Sequence, residues 1–312
     1  GREGGTVSSI DKKISKQFDN TSNSLAGLLL VGAADDFEKI IANIDGDKAK
    51  IGGNGNDVIR GTNKSDTIFA DSTVLDNVGG DDIVDARGGD DLVYTFGGND
   101  EVHGGRGDDT IQTADGDDFV SADRGDDDVQ SGRGRDIVMG GSGDDKIRGG
   151  EDDDLLYGGS GNDRVIGGSD NDTLEDGTGK DTLEGRAGDD LHVLTDDDTT
   201  DGVRFFADDL TNGVDTIRSF DASDTSHGGD FIDLRDIKAA HFDVVQACDQ
   251  ALIFATTESV PEPTLLAVVD NVMVDALLDG NIRSSKDSTI TEANVDLAAL
   301  IGFLLLPIFQ SF

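Results

Sequence analysis

Aliphatic residues return every nine positions through the middle of the chain, and glycine and aspartate keep step with them. Cut every nine residues from Asn77, the sequence reaches Val193 in 13 units with no insertion. The eighth position is Val, Ile or Leu from Val84 to Leu183, and His192 in the last unit. The sixth is aspartate in every unit, and the fourth is glycine in 11, with Asp152 and Asp170 as the exceptions. A nine-residue period does not hold one face of an α-helix in line over many turns. A disordered acidic chain has no reason to keep such register. What remains is a solenoid of stacked turns. Glycines open each unit with a tight turn, and a three-residue strand follows whose middle, aliphatic side chain points to one face. Two nine-residue units complete an 18-residue coil, so two thin parallel sheets meet through Val, Ile and Leu.

The phase extends upstream and then breaks. Gly52–Arg60 and Gly61–Phe69 share it, set apart from the main block by the seven-residue insertion Ala70–Asp76. The early units "VGGDD", "RGGDD" and "FGGND" carry their glycine pair late, and Thr113–Ala114 and Ala122–Asp123 replace it. The most regular units therefore run from Ser131 to Lys180. Downstream, Val214, Ile217 and Phe220 predict a covering strand and Phe231–Leu234 the next. Ala251–Phe254, Leu265–Val269 and Val272–Val274 predict further strands. Such a cap is required, because an open solenoid end exposes core and unpaired backbone. Before the repeats, Ile10, Ile14 and Phe18 stand at helical spacing, followed by "SLAGLLLV" and by Phe37, Ile40, Ile41 and Ile44. These predict one or two short helices.

The expected fold is all-β, a parallel β-roll (β-solenoid) with a β-rich C-terminal cap and short helical segments at both termini. Its parts are an N-terminal helical cap or docking segment (1–50), the roll (51–193), the capping region (194–281) and an apolar tail (282–312).

Charge changes the picture next. The 312 residues hold 66 acids against 25 Lys and Arg, a net charge of −41. That excludes nucleic acid and anionic membrane surfaces as partners. A single cysteine, Cys248, excludes an internal disulfide framework. No cleavable signal-peptide pattern opens the chain. The apolar stretch Leu297–Phe309 contains Pro307 and is too short for an integral membrane span.

The aspartates supply the chemistry. In an 18-residue coil Asp82 lies near Asp100 and Asp91 near Asp109, and carboxylates stacked this way repel unless a cation lies between them. Oxygen-only donors with flexible backbone geometry select calcium over magnesium. Residues 77–193 carry 32 acids and 10 bases, a net −22 that about eleven divalent ions would cancel. The candidate ligands are Asp57, Asp66, Asp82, Asp91, Asp100, Asp109, Asp118, Asp127, Asp136, Asp145, Asp154, Asp163, Asp172, Asp181 and Asp190. The turn carbonyls of Gly140, Gly143, Gly149, Gly158, Gly161 and Gly167 join them.

The units "GGNGNDVIR", "GGSGDDKIR", "GGSGNDRVI" and "GGSDNDTLE" resemble the GGxGxDxUx nonapeptide of repeats-in-toxin (RTX) proteins. The resemblance covers about half of the chain. It implies a parallel β-roll binding multiple Ca2+ ions, and export by type I secretion machinery that reads an uncleaved C-terminal signal. The segment "NGVDTIRSFDASDTSHGGDFIDLRDI" is similar to the region after the repeats in serralysin-type proteases and related secreted proteins.

No catalytic constellation accompanies the repeats. H-E-x-x-H and G-x-S-x-G are absent, and His103, His192, His227 and His241 form no ligand spacing. His192 stands at an inward phase and is expected to pack. The expectation is a non-enzymatic, secreted, calcium-folded protein of the cell surface, matrix or a filament, assembling as a homo-oligomer through its apolar terminal segments. The alternative is the secretion and folding module of a larger hydrolase, toxin or adhesin.

Overall fold

Residues 18 apart lie side by side. Lys146, Ile147 and Arg148 register with Arg164, Val165 and Ile166 on one sheet. Ile137, Val138 and Met139 register with Leu155, Leu156 and Tyr157 on the other. Successive nine-residue units therefore alternate between two parallel sheets. The computed structural model describes residues 40–41, 49–53, 55–71, 79–207, 209–223, 229–237, 239–257, 262–284 and 288–292. Among them the two sheets hold 14 and 11 strands. The eighth-position side chains fill the space between, and all twelve from Val84 to Leu183 are 0% exposed. One methyl-bearing side chain per unit makes a core only one layer thick.

The strands are longer than the three residues expected. From Glu101–Arg106 to Thr182–Ala187 each is six residues long, because the ladder runs on through the glycine pair. Gly150 pairs with both Gly132 and Gly168. At Gly150 φ is 150°, and a Cβ there would stand 1.9 Å from the Gly132 carbonyl oxygen. Rungs this close require glycine.

The coil begins earlier than the repeat grammar. Ile40–Ile41 pairs in parallel with Val58–Arg60, and Ala49–Ile51 with Thr67–Phe69, both at an offset of 18. The helical expectation for Ile40 and Ile41 is thus corrected: the same coil step supplies them with ladder partners. Ile10, Ile14, Phe18, Phe37 and the apolar tail Leu297–Phe309 lie outside the described residues. Across the seven-residue insertion the offset grows from 18 to 25, as Val58↔Ile83 and Thr67↔Leu92 show, and the rungs remain in register.

The nine-residue spacing ends at Val193 but the rungs do not. Gly202–Arg204 and Phe231–Asp233 extend one sheet in parallel, and Ile282–Arg283 ends it. Asp215–Arg218, expected to cover the roll, adds a parallel rung to the other sheet. That sheet continues through Thr264–Asp270, then turns antiparallel with Gln250–Thr257 and Ala239–Ala247. Thr289–Glu292 lies at its edge. Phe205, Leu234, Phe242, Ile253 and Leu277 are buried where the roll gives way to these longer strands.

Two short helices interrupt this part. Asp209–Asn212 has its turn pinned by the Asp209 carboxylate, which accepts the Phe206 N–H at 2.6 Å. Val274–Leu278 replaces the strand expected over Val272–Val274. The Gln246 side-chain oxygen accepts the Val274 N–H at 2.8 Å, and Val274 and Leu277 are buried three residues apart. Among the described residues no helix is long and apolar enough to cross a membrane.

Candidate metal centre

Each sixth-position aspartate stands at the start of a strand, where the coil turns from one sheet to the other. Asp145 shows the pattern. Its Oδ1 accepts the backbone N–H of Asp127 at 2.8 Å, and its own N–H donates to Asp163 Oδ1 at 2.8 Å. The ladder repeats at 18-residue steps along both edges of the roll, Asp82 to Asp190 on one and Asp91 to Asp181 on the other. Asp57 and Asp66 join across the insertion, donating to Asp82 Oδ1 at 2.7 Å and Asp91 Oδ1 at 2.5 Å.

The second oxygen is the chemically open one. In Asp82, Asp100, Asp109, Asp118, Asp127, Asp136, Asp145, Asp154, Asp163, Asp172, Asp181 and Asp190, Oδ2 is buried with no hydrogen-bond partner. Leaving an anionic oxygen in this state is costly. In the regular units it points at the first glycine. A Cβ on Gly140 would stand 2.5 Å from Asp145 Oδ2 and 2.5 Å from the Gly158 carbonyl oxygen. Gly149 has the same relation to Asp154 and Gly167, at 2.1 and 3.0 Å. Gly158 and Gly167 repeat it with Asp163 and Asp172. Missing side chains thus leave a hollow lined by a carboxylate and a carbonyl, the donor set calcium takes. The residues fit the ion.

Gly143 and Gly161 are placed differently. They sit at the outer turn, with φ of 128° and 132°, and the nearest atoms to a Cβ there are the carbonyls of Gly125 and Gly143. The structure does not bring them against an aspartate of the buried ladder.

The irregular early units keep the same backbone. Arg87, Phe96, Ala114 and Asp123 occupy the second position with φ between 76° and 81°, where the units from Gly132 to Gly177 have glycine. Their first positions, however, are partly filled. Thr95, Thr113 and Ser131 are buried, and their hydroxyls donate to carbonyls one turn on, Thr113 to Ser131 at 3.0 Å. Ala86 and Ala122 fill that phase with a methyl group. The carboxylate ladder is continuous, and first-position glycines stand against its carboxylates at Gly104, from Gly140 to Gly167, and at Gly185.

Burial pushes these carboxyls up, and neighbouring carboxylates add to the rise in many of them. The Asp145 pKa reaches about 7, those of Asp82, Asp127, Asp154 and Asp181 about 8, and that of Asp172 about 9. The ladder N–H opposes the rise without cancelling it. Such carboxyls hold a proton at neutral pH unless a cation takes its place.

Sequence reasoning missed three later members. Asp181 donates its N–H to Asp201 Oδ1 at 2.8 Å, Asp190 to Asp215 Oδ1 at 3.2 Å, and Asp201 to Asp230 Oδ1 at 3.2 Å. It also missed an outer ladder of opposite polarity at the fifth position. There Asp144 donates back to Asp126 Oδ1 at 2.8 Å, and Asn162 to Asp144 Oδ1 at 2.8 Å. His192 is 0% exposed in the aliphatic column, its Nε2 3.0 Å from Asp215 Oδ2, so it packs as its phase predicts.

A family model described as the RTX calcium-binding nonapeptide repeat matches residues 51–72, 77–111, 94–129, 103–138, 130–165 and 166–191. These ranges contain every ladder aspartate from Asp57 to Asp190. No curated protein matches the chain.

Proposed function

Because this chain belongs to the RTX calcium-binding repeat proteins, binding several Ca2+ ions along its β-roll, we propose that it is a secreted scaffold that folds where calcium is abundant. The observation that carries this reading is the row of buried carboxylate oxygens with no hydrogen-bond donor, one per nine residues from Asp100 to Asp190. Asp57, Asp66 and the 13 aspartates from Asp82 to Asp190 hold the ions, together with the carbonyls lining the hollows at Gly140, Gly149, Gly158 and Gly167. Gly143 and Gly161 shape the turns. Calcium supplies positive charge at the buried oxygens; the chain supplies the spacing and excludes water with its aliphatic column.

Calcium sites of extracellular modules bind at roughly 10⁻⁴–10⁻³ M. A roll of this kind stays unfolded where calcium is scarce and closes once exported, and its binding energy becomes folding energy. That asymmetry suits type I secretion machinery, which passes unfolded chains. The role outside the cell is structural, a surface, matrix or filament component assembling through the apolar terminal segments, of which Leu297–Phe309 is the largest. Electron microscopy of the calcium-loaded protein checks this. Filaments or ordered arrays support assembly, and uniformly monomeric particles contradict it.

A further inference from the structure

Position one of the nine-residue cycle lies directly against the buried carboxylate five residues on, as Gly140 does against Asp145. Most described units place Gly, Ala, Ser or Thr there, and one places Asp176. Its side chain stands at the phase where Gly140, Gly149, Gly158 and Gly167 carry none. Asp176 is 0% exposed. One oxygen accepts the Gly177 N–H at 2.5 Å and the other the Thr195 N–H at 3.1 Å.

Two further carboxylates converge on the same place. Asp181 follows Asp176 by five residues, the same relation that sets Asp145 Oδ2 against Gly140. Its Oδ1 is engaged by the Asp163 N–H at 2.6 Å, while its Oδ2 is buried and has no partner. Asp201 arrives from the turn that ends the regular repeats and accepts the Asp181 N–H at 2.8 Å. One oxygen from each of the three lies within 4.8 Å of the others, and all three residues are buried. Among the described residues none of them forms an ion pair. Arg164 and Arg186 pair with Glu184 at 2.8 and 2.7 Å, and Arg204 pairs with Asp236 at 2.5 Å.

We infer that Asp176, Asp181 and Asp201 form a calcium site of a second kind, with three carboxylates where the repeats offer ladder aspartates and glycine carbonyls. The inference rests on the reading of the roll as calcium-binding and adds a site that the nonapeptide pattern does not contain. Calcium affinity rises with the number of charged ligands on a rigid site. This site therefore fills before the others. An ion here also ties the turn carrying Asp201, held at an irregular 20-residue step, to the last regular coil.

The test is a calcium titration of the full chain by calorimetry, with bound ions counted by native mass spectrometry. The wild type is expected to show one ion bound about tenfold or more tightly than the rest. Asp176→Gly restores the residue that neighbouring units carry at this phase. It should lose that one tight ion and keep the calcium-saturated β circular dichroism signal. Asp176→Asn, which keeps the shape, should weaken the same step, and it serves if the glycine variant does not fold. Wild type and both variants with equal ion counts and equal first affinities would overturn the inference while leaving the roll intact. A wild-type chain that takes up no calcium would overturn both.

Discussion

Asp145 divides its two oxygens between different tasks. Oδ1 accepts the Asp127 N–H and is satisfied by the protein, whereas Oδ2 is left for something the chain does not supply. Asparagine keeps the first function and removes the charge from the second. The double substitution Asp145→Asn and Asp163→Asn should therefore raise the calcium midpoint of folding severalfold while leaving the ladder acceptors in place. Asp144→Ala removes an exposed acceptor of the Asn162 N–H, worth about 1 kcal/mol. It should move the calcium midpoint much less. Calcium titrations followed by circular dichroism compare the two. A second residue-scale prediction concerns backbone strain. Ala114 holds φ of 81°, a region that costs an L-residue roughly 1–2 kcal/mol. Glycine there carries about 0.5–1 kcal/mol of extra chain entropy. Ala114→Gly should thus stabilise the calcium-loaded roll slightly, by less than about 1 kcal/mol in thermal unfolding. Gly150→Ala, with its Cβ facing the Gly132 carbonyl, should destabilise it strongly.

At the scale of the element, the ladder couples protonation to folding. The carboxyls rise from 3.8 to about 6 in Asp163, about 7 in Asp145 and about 8 in Asp154. A folded-state pKa above the unfolded one means that the folded chain binds more protons. The stability of the calcium-free roll is therefore fully present below about pH 4 and is lost as pH rises through 6 to 8. Protons and calcium compete for the same oxygens. Calcium-free protein should gain β signal as pH is lowered from 8 towards 5, while the affinity of the folded roll for calcium, read by calorimetry, falls over the same interval. A calcium affinity independent of pH across it would contradict this coupling. The rung itself was legible from Asn77 to Val193, because glycine, aspartate and an aliphatic residue hold fixed phases. Beyond Val193 the triplet survives as Asp201-Gly202-Val203, Asp215-Thr216-Ile217 and Asp230-Phe231-Ile232, but the ladder steps become 20, 25 and 29 residues. A reading keyed to spacing loses these rungs, and one keyed to the triplet keeps them. Strand length was not legible either. Glycine marks turns in isolation, yet here its ladder bonds extend each strand through it. The helix Val274–Leu278 depends on Gln246, 28 residues away, and no local pattern announces such a cap.

For the whole molecule, a core of one aliphatic side chain per nine residues is too thin to offset the ordering of so many glycines and to oppose a net charge of −41. The remaining stabilisation must come from ions bound to the folded state and not to the unfolded one. The net −22 of residues 77–193 sets the scale, about eleven divalent ions at full neutralisation. Far-ultraviolet circular dichroism at pH 8, recorded in excess EGTA and then with calcium raised through roughly 10⁻³ M, tests this most directly. A disordered spectrum in EGTA, a cooperative gain of β signal with calcium, and its loss when chelator is restored are expected. A β spectrum at pH 8 that excess EGTA leaves unchanged would contradict this dependence on bound ions.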